Sequence, residues 1–60
     1  MYRYRLIDEQ GFEMGPVFVA STRVKVGEHL SRSSGQRYVI VNVVEPEHEG
    51  FRADLVVRAA

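Results

Sequence analysis

The sequence predicts an all-β fold, a small curled sheet or barrel of about five antiparallel strands. Residues 37–45, RYVIVNVVE, are almost all β-branched or aromatic, which is typical of a strand covered on both faces. Turn-forming residues recur at short intervals along the chain. No long segment has apolar residues at the i, i+3, i+4, i+7 spacing of an amphipathic helix. These observations favour strands and argue against a helical domain.

The length of 60 residues limits the chain to a single domain, residues 1–60. A domain of this size buries only about 60% of the surface that its unfolded chain exposes, so its stability is marginal. The sequence has no cysteine, which excludes disulfide reinforcement. Self-association is therefore an expected source of added stability.

The first half of the chain predicts two strands joined by a hairpin loop at residues 8–11. The first strand, residues 2–7, alternates between Tyr2, Tyr4 and Leu6 on one face and Arg3 and Arg5 on the other. The second strand, residues 12–20, contains Gly15-Pro16. Because proline has no N–H for a strand ladder, we expect this strand to be bent or split.

The second half predicts three more strands. A short strand follows the glycine turn within residues 24–30, and residues 31–35 form a hairpin tip. In the strand at 37–45, Tyr38, Ile40 and Val44 face one side and Val39, Val41 and Val43 the other. The final strand alternates between Phe51, Ala53, Leu55, Val57 and Ala59 inward and Arg52, Asp54 and Arg58 outward.

These faces define a predicted core and a surplus of apolar surface. The side chains expected to be buried are Leu6, Phe18, Val26, Leu30, Val39, Val41, Leu55 and Val57. Val56 is apolar but lies among the outward residues of the final strand. Together with the two apolar faces of residues 37–45, it leaves more apolar surface than one small interior readily covers. This surplus favours a two-fold dimer.

Residues 24–60 resemble a known group of folds. The pattern Val24-x-Val26-Gly27-Glu28-x-Leu30, then Gly35-x-Arg37-Tyr38-x-Ile40-x-x-Val43 and a long alternating strand, is similar to small SH3-like barrels, including short bacterial proteins of unassigned function. The resemblance implies a fold and no site, because such barrels host peptide binding, RNA binding and assembly. The aromatic residues with which SH3 domains hold proline-rich peptides have no match in this sequence.

The charge balance argues against two classes of partner. Eight basic and eight acidic residues give a formal charge of zero, so no overall field attracts nucleic acid or an anionic membrane. No apolar stretch is long enough to span a membrane, and the N-terminal residues lack the apolar segment of a signal peptide. We therefore expect a cytoplasmic protein without a membrane partner.

Two groups of residues could bind a metal ion or act in catalysis, and each has a simpler interpretation. Residues 45–49 contain three carboxylates and His48, which could ligate a divalent cation, but charged turns of this kind are usually only solvated. His29 lies near Ser31, Ser33 and Ser34, yet serines in a loop beside glycine are more often turn formers than nucleophiles. The sequence thus predicts no enzyme, no metal site and no cofactor.

The predicted function is protein association, either as a homodimer or with another protein. The expected interface residues are Val56, Arg58 and Tyr38. The alternative is a small nucleic-acid-binding protein that uses Arg3, Arg5, Arg23, Lys25 and Arg37 beside an exposed tyrosine. For Arg3 and Arg5 the simpler expectation is pairing across the sheet with Asp or Glu. If the five cations form one contiguous surface, the nucleic-acid hypothesis is favoured. If they lie on separate surfaces, the association hypothesis is favoured.

Overall fold

The computed structural model describes residues 1–15 and 17–60, and this part of the chain contains five strands and no helix. The strands are β1 (Tyr2–Ile7), β2 (Phe18–Ala20), β3 (His29–Ser31), β4 (Arg37–Val44) and β5 (Ala53–Ala59). The predicted small, curled all-β fold is confirmed. The second strand is shorter than predicted, because only residues 18–20 and an isolated bridge between Ile7 and Glu13 pair with β1. Pro16 lies outside the described residues.

The strands form one mixed sheet in the order β2-β1-β5-β4-β3, curled into a half-barrel. Successive strands reverse direction, so β1 and β5 run the same way. These two strands pair in parallel, with Arg5 opposite Asp54 and Leu6 opposite Leu55. The sheet therefore differs in this one pairing from the fully antiparallel arrangement that we expected. The three-residue strands β2 and β3 form its two edges.

A side chain bridges the open side of the sheet. Arg32, directly after β3, donates a hydrogen bond from Nη2 to the carbonyl oxygen of Met14, at 3.0 Å. The guanidinium lies so close to Gly15 that a Cβ at that position would be 2.6 Å from Nη2. Gly15 also has a φ of 72°, a conformation that favours glycine. Glycine at this position thus lets the end of β3 contact the segment that precedes β2.

The core lies on the inner face of the curled sheet. Its buried apolar side chains are Tyr4, Leu6, Leu30, Ile40, Ala53, Leu55 and Val57. The predicted burial of Leu6, Leu30, Leu55 and Val57 is confirmed. Phe18 is only half-buried, and its ring centroid lies 6.4 Å from that of Tyr4. The strict alternation of the first and last strands therefore identified the core correctly.

The predicted faces of β4 are wrong beyond Ile40, because the strand contains a bulge. Ile40 pairs with Val57, but Asn42 pairs with Val56, so Val41 is an extra residue in the ladder. The bulge brings Val43 to the inner face, where it packs on the core. Val39 and Val41, which we expected to be buried, are only half-buried.

Val26 was also predicted to be buried, and it is 59% exposed. It lies in a tight turn in which the N–H of Glu28 donates to the carbonyl of Lys25, at 3.2 Å. The next residue, Gly27, donates its N–H to the carbonyl of Ile40, at 2.8 Å. The backbone of this turn therefore contacts the sheet while the Val26 side chain points to solvent.

A pair of alanine substitutions tests this core assignment. Leu55→Ala should lower the free energy of unfolding by about 2 to 4 kcal/mol, because it leaves a cavity in the core. Val41→Ala should lower it by less than about 1 kcal/mol, since this bulge residue is only half-buried. Urea denaturation of both variants measures the difference. Equal losses would contradict the position of the bulge.

Candidate functional site

The outward face of the sheet carries charged and apolar side chains in successive rows. Arg5 of β1 lies opposite Asp54 of β5 in one row, and Ile7 lies opposite Val56 in the next. Across β4 and β5, Val39 lies opposite Arg58. The apolar pair of Ile7 and Val56 thus lies between two charged rows, and its row continues on β4 to the exposed Asn42.

Arg5 and Asp54 form a largely buried ion pair, with 2.7 Å between Nη2 and Oδ2. Asp54 is only 1% exposed and the Arg5 side chain 11%, although both residues point away from the core. The same guanidinium contacts Glu47 at 3.0 Å and Glu13 at 3.2 Å. Hydrogen bonds from the guanidinium to Asp54 above all, and then to Glu47 and Glu13, raise the pKa of Arg5.

Asp54 was predicted to point outward, and it does so without being solvated. The backbone N–H of Glu47 also donates to Asp54 Oδ2, at 3.3 Å. The turn between β4 and β5 therefore covers this carboxylate from one side, and Arg5 covers it from another. The simpler interpretation of Arg3 and Arg5 was that they pair across the sheet with Asp or Glu. Arg5 does so, with Asp54.

The second charged row joins β5 to the first hairpin loop. Arg58 donates from Nη2 to Glu9 Oε2 at 2.7 Å and from Nε to Glu9 Oε1 at 3.0 Å, a bidentate arrangement. These hydrogen bonds lower the pKa of Glu9 and raise the pKa of Arg58. Both side chains are half exposed or more, so this pair is screened by solvent.

Ile7 and Val56 lie between these ion pairs, and Val39 of β4 lies diagonally from Val56, in the row of Arg58. We name these three residues, Ile7, Val39 and Val56, the convex patch. All three side chains are half-buried and lie on adjacent strands of the sheet. Of the predicted interface residues, Val56 and Arg58 share this outward face. Tyr38 does not, because it pairs with Ala59 and packs on the core at the inner face.

The five predicted cations lie in different places. The Arg3 guanidinium lies 5.1 Å from the centre of the Phe51 ring, and that of Arg23 lies 5.9 Å from the centre of the Tyr2 ring. Arg5 is held in the ion pairs described above. Lys25 lies in the turn with Val26, and Arg37 begins β4. Arg3 and Arg5 share the outward face of β1, while Arg23 contacts the inward-facing Tyr2.

An open cleft at one end of the half-barrel was not predicted. It has a volume of about 560 Å³ and two arginines, Arg23 and Arg52, line it together with Tyr4 and Glu45. Its remaining lining residues are apolar: Val24, Val43, Val44, Pro46 and Ala53. We call it the end cleft. Arg52 was missed because alternation made it one of several outward charges, and nothing in the local sequence indicates that it lines one cleft with Arg23.

The residues considered for metal binding and catalysis are all exposed. Within residues 1–15 and 17–60, no three His, Asp or Glu side chains form a group that could hold a metal ion. Glu47, one of the predicted candidates, instead contacts Arg5. His29 and His48 are both exposed. The same part of the chain has no helix long and apolar enough to cross a membrane.

Comparison with known proteins found no match. No family model matches the chain, and no curated protein or solved structure matches it either. The function must therefore be inferred from the residues and their geometry.

Removing the charge of Asp54 tests the buried ion pair. Asp54→Asn should lower the free energy of unfolding by about 2 kcal/mol, because the Arg5 guanidinium loses its shortest and most buried carboxylate contact and keeps only the exposed Glu47 and Glu13. Glu47→Gln is the matched control, since its side chain is 73% exposed, and it should cost less than about 0.5 kcal/mol. Chemical denaturation measures both. An Asp54→Asn variant as stable as the control would show that the pair contributes nothing.

Acidification tests the pair between Glu9 and Arg58. The pKa of Glu9 in the folded protein lies below its usual value of 4.5. The pair therefore stabilises the fold above about pH 4.5, and this contribution is lost as the pH falls through the lower, folded pKa. Glu9→Gln should be less stable than the wild type at pH 7, and the difference should vanish in strong acid. Urea denaturation at both pH values measures it, and a difference that persists in acid would contradict the assignment.

Proposed function

We propose that this protein is a non-enzymatic association module that forms a two-fold dimer through the convex patch. The observation that carries the proposal is the position of Ile7, Val39 and Val56 on the outward face of three adjacent strands. The described residues form a single sheet, so no second layer of strands or helices covers this face. A second copy of the chain would cover it with the same residues.

The charges around the convex patch favour a second copy as the occupant. Arg5 and Arg58, the arginines on either side, are already paired with carboxylates of the same chain. The chain as a whole has a formal charge of zero. Two copies can therefore approach without the like-charge repulsion that opposes association of strongly charged proteins.

The size of the molecule sets the extent of this interface. The described chain measures 27 × 26 × 20 Å, so the roughly 800 Å² that each partner contributes to a standard interface would take up the whole broad face, with the convex patch and the charged rows beside it. A domain of 60 residues buries a smaller fraction of its surface than a larger domain does, so the stability added by such a contact matters more to it. We also propose that the half-barrel belongs with the small SH3-like barrels of short bacterial proteins, among which assembly is one of the roles.

Nucleic-acid binding is the second candidate. Two observations favour it: Arg3 lies over Phe51, and Arg23 lies over Tyr2, so cations and aromatic rings adjoin. The arrangement of the other cations supports it less, because Arg5 is neutralised by carboxylates and Arg37 begins β4, at the strand end away from the end cleft. Within the described residues, these five cations therefore offer a strand of phosphates no continuous row of unpaired charges. We therefore rank association first.

A charge in the convex patch tests the dimer. Val56→Asp should convert a dimer into a monomer, because dimerisation would bury an unpaired carboxylate. Val26→Asp is the matched control: it makes the same change at a valine that is 59% exposed in a turn, and it should remain dimeric. Sedimentation equilibrium at about 50 μM chain measures the mass, and circular dichroism verifies the fold.

Two outcomes would overturn the proposal. A wild-type protein that sediments as a monomer at this concentration would exclude the dimer as a stable state. A folded Val56→Asp variant that remains dimeric would place the interface on another surface.

A further inference from the structure

The end cleft brings two arginines to one concave surface. Arg23 and Arg52 both line it, and among the residues that the structure describes neither forms an ion pair. Glu45 is the one carboxylate among the described lining residues, so the lining carries a net positive charge. A chain with no overall charge thus has a locally cationic cleft.

The fold holds both arginines at this end of the half-barrel. The Arg23 guanidinium lies over the Tyr2 ring at 5.9 Å, which limits the positions that this long side chain adopts. The backbone N–H of Arg52 donates to the carbonyl of Arg3 at 2.8 Å, which ties the start of β5 to β1. The two cations therefore come from segments that the sheet and an aromatic contact hold in place.

The rest of the cleft is mainly aliphatic. The half-buried side chains of Val24, Val43 and Pro46 line it, while Tyr4 is almost fully buried and presents little surface to a ligand. A volume of about 560 Å³ is within the range of pockets that hold small ligands. Apolar walls with a few convergent polar groups are the usual construction of such pockets.

We propose that the end cleft binds a small phosphorylated ligand with a flat ring, such as a mononucleotide. Two guanidinium groups match the charge and the acceptor oxygens of a phosphate monoester, and the apolar walls accept the ring. The ligand is either a free nucleotide or the terminal nucleotide of a strand, and both present the same phosphate and ring. This site is separate from the convex patch, so the proposal does not depend on dimer formation.

Binding is measured by ¹H–¹⁵N chemical-shift titration with inorganic phosphate, phenyl phosphate and adenosine monophosphate. We expect shifts at the amides of residues 23–24 and 52–53 for all three probes. Phenyl phosphate should bind more tightly than phosphate, because its ring removes apolar surface of the cleft from water. An absence of shifts at these amides at about 10 mM ligand would overturn the proposal. Equal affinities for phosphate and phenyl phosphate would overturn the assignment of a ring.

Charge variants separate a specific site from general attraction. Arg52→Gln should weaken binding of phenyl phosphate about tenfold, the loss expected for one charge-assisted hydrogen bond. Glu45→Gln should strengthen it, because a carboxylate that lines the cleft is replaced by a neutral amide. Arg37→Gln is the matched control: it removes an exposed arginine that does not line the cleft, and it should leave binding unchanged. Equal weakening by Arg52→Gln and Arg37→Gln would overturn the site.

An oligothymidylate of ten nucleotides that carries a 5′-phosphate distinguishes the two sources of the nucleotide. An affinity close to that of thymidine monophosphate supports a cleft that holds one nucleotide. Much tighter binding to the oligomer that also weakens steeply with salt would show contact with many phosphates. That result would overturn the small-ligand proposal in favour of nucleic-acid binding.

Discussion

The fold depends on the parallel pairing of β1 with β5, and the ion pair between Arg5 and Asp54 marks its register. These residues lie opposite each other in the ladder, and Leu6 and Leu55 of the core lie opposite each other in the next row. If β1 slipped by one residue against β5, its core side chains would turn to the outward face, and Arg5 would no longer lie opposite Asp54. Buried ion pairs contribute little net stability, so we infer that this one matters chiefly because it permits a single register.

This register also places both proposed sites. It sets Val56 beside Ile7 on the outward face, between the charges of Arg5 and Arg58, which creates the convex patch. It sets Ala53 opposite Tyr4, and these two residues line the end cleft. The two surfaces therefore lie on different parts of one rigid ladder. A variant that disturbs the register should affect both, whereas a variant at either surface should affect only one.

Alternation in the sequence was sufficient to predict most of the core but not the sites. In a regular strand such as β5, the alternation of apolar residues identifies the buried face, and Leu55 and Val57 are buried as it predicts. The bulge at Val41 turns Asn42 outward, opposite Val56, whereas strict alternation would place Asn42 on the inner face with Ile40. This polar residue is the local sign of the bulge, and the valines around it give no other. The burial of Asp54 depends on Arg5, 49 residues earlier, and on a turn that covers both. Such long-range contacts determine both sites, and local patterns do not report them.

The contact between Arg32 and Met14 also affects how large an assembly can become. A half-barrel has two free edges, and long free edges allow chains to add to one another without limit. Here each edge strand has only three residues, and the guanidinium joins the segments beside them across the open side. Few backbone groups remain in a straight row for an incoming strand. Association through the outward face can therefore end at a closed pair, while growth into fibrils is disfavoured by the construction of the edges.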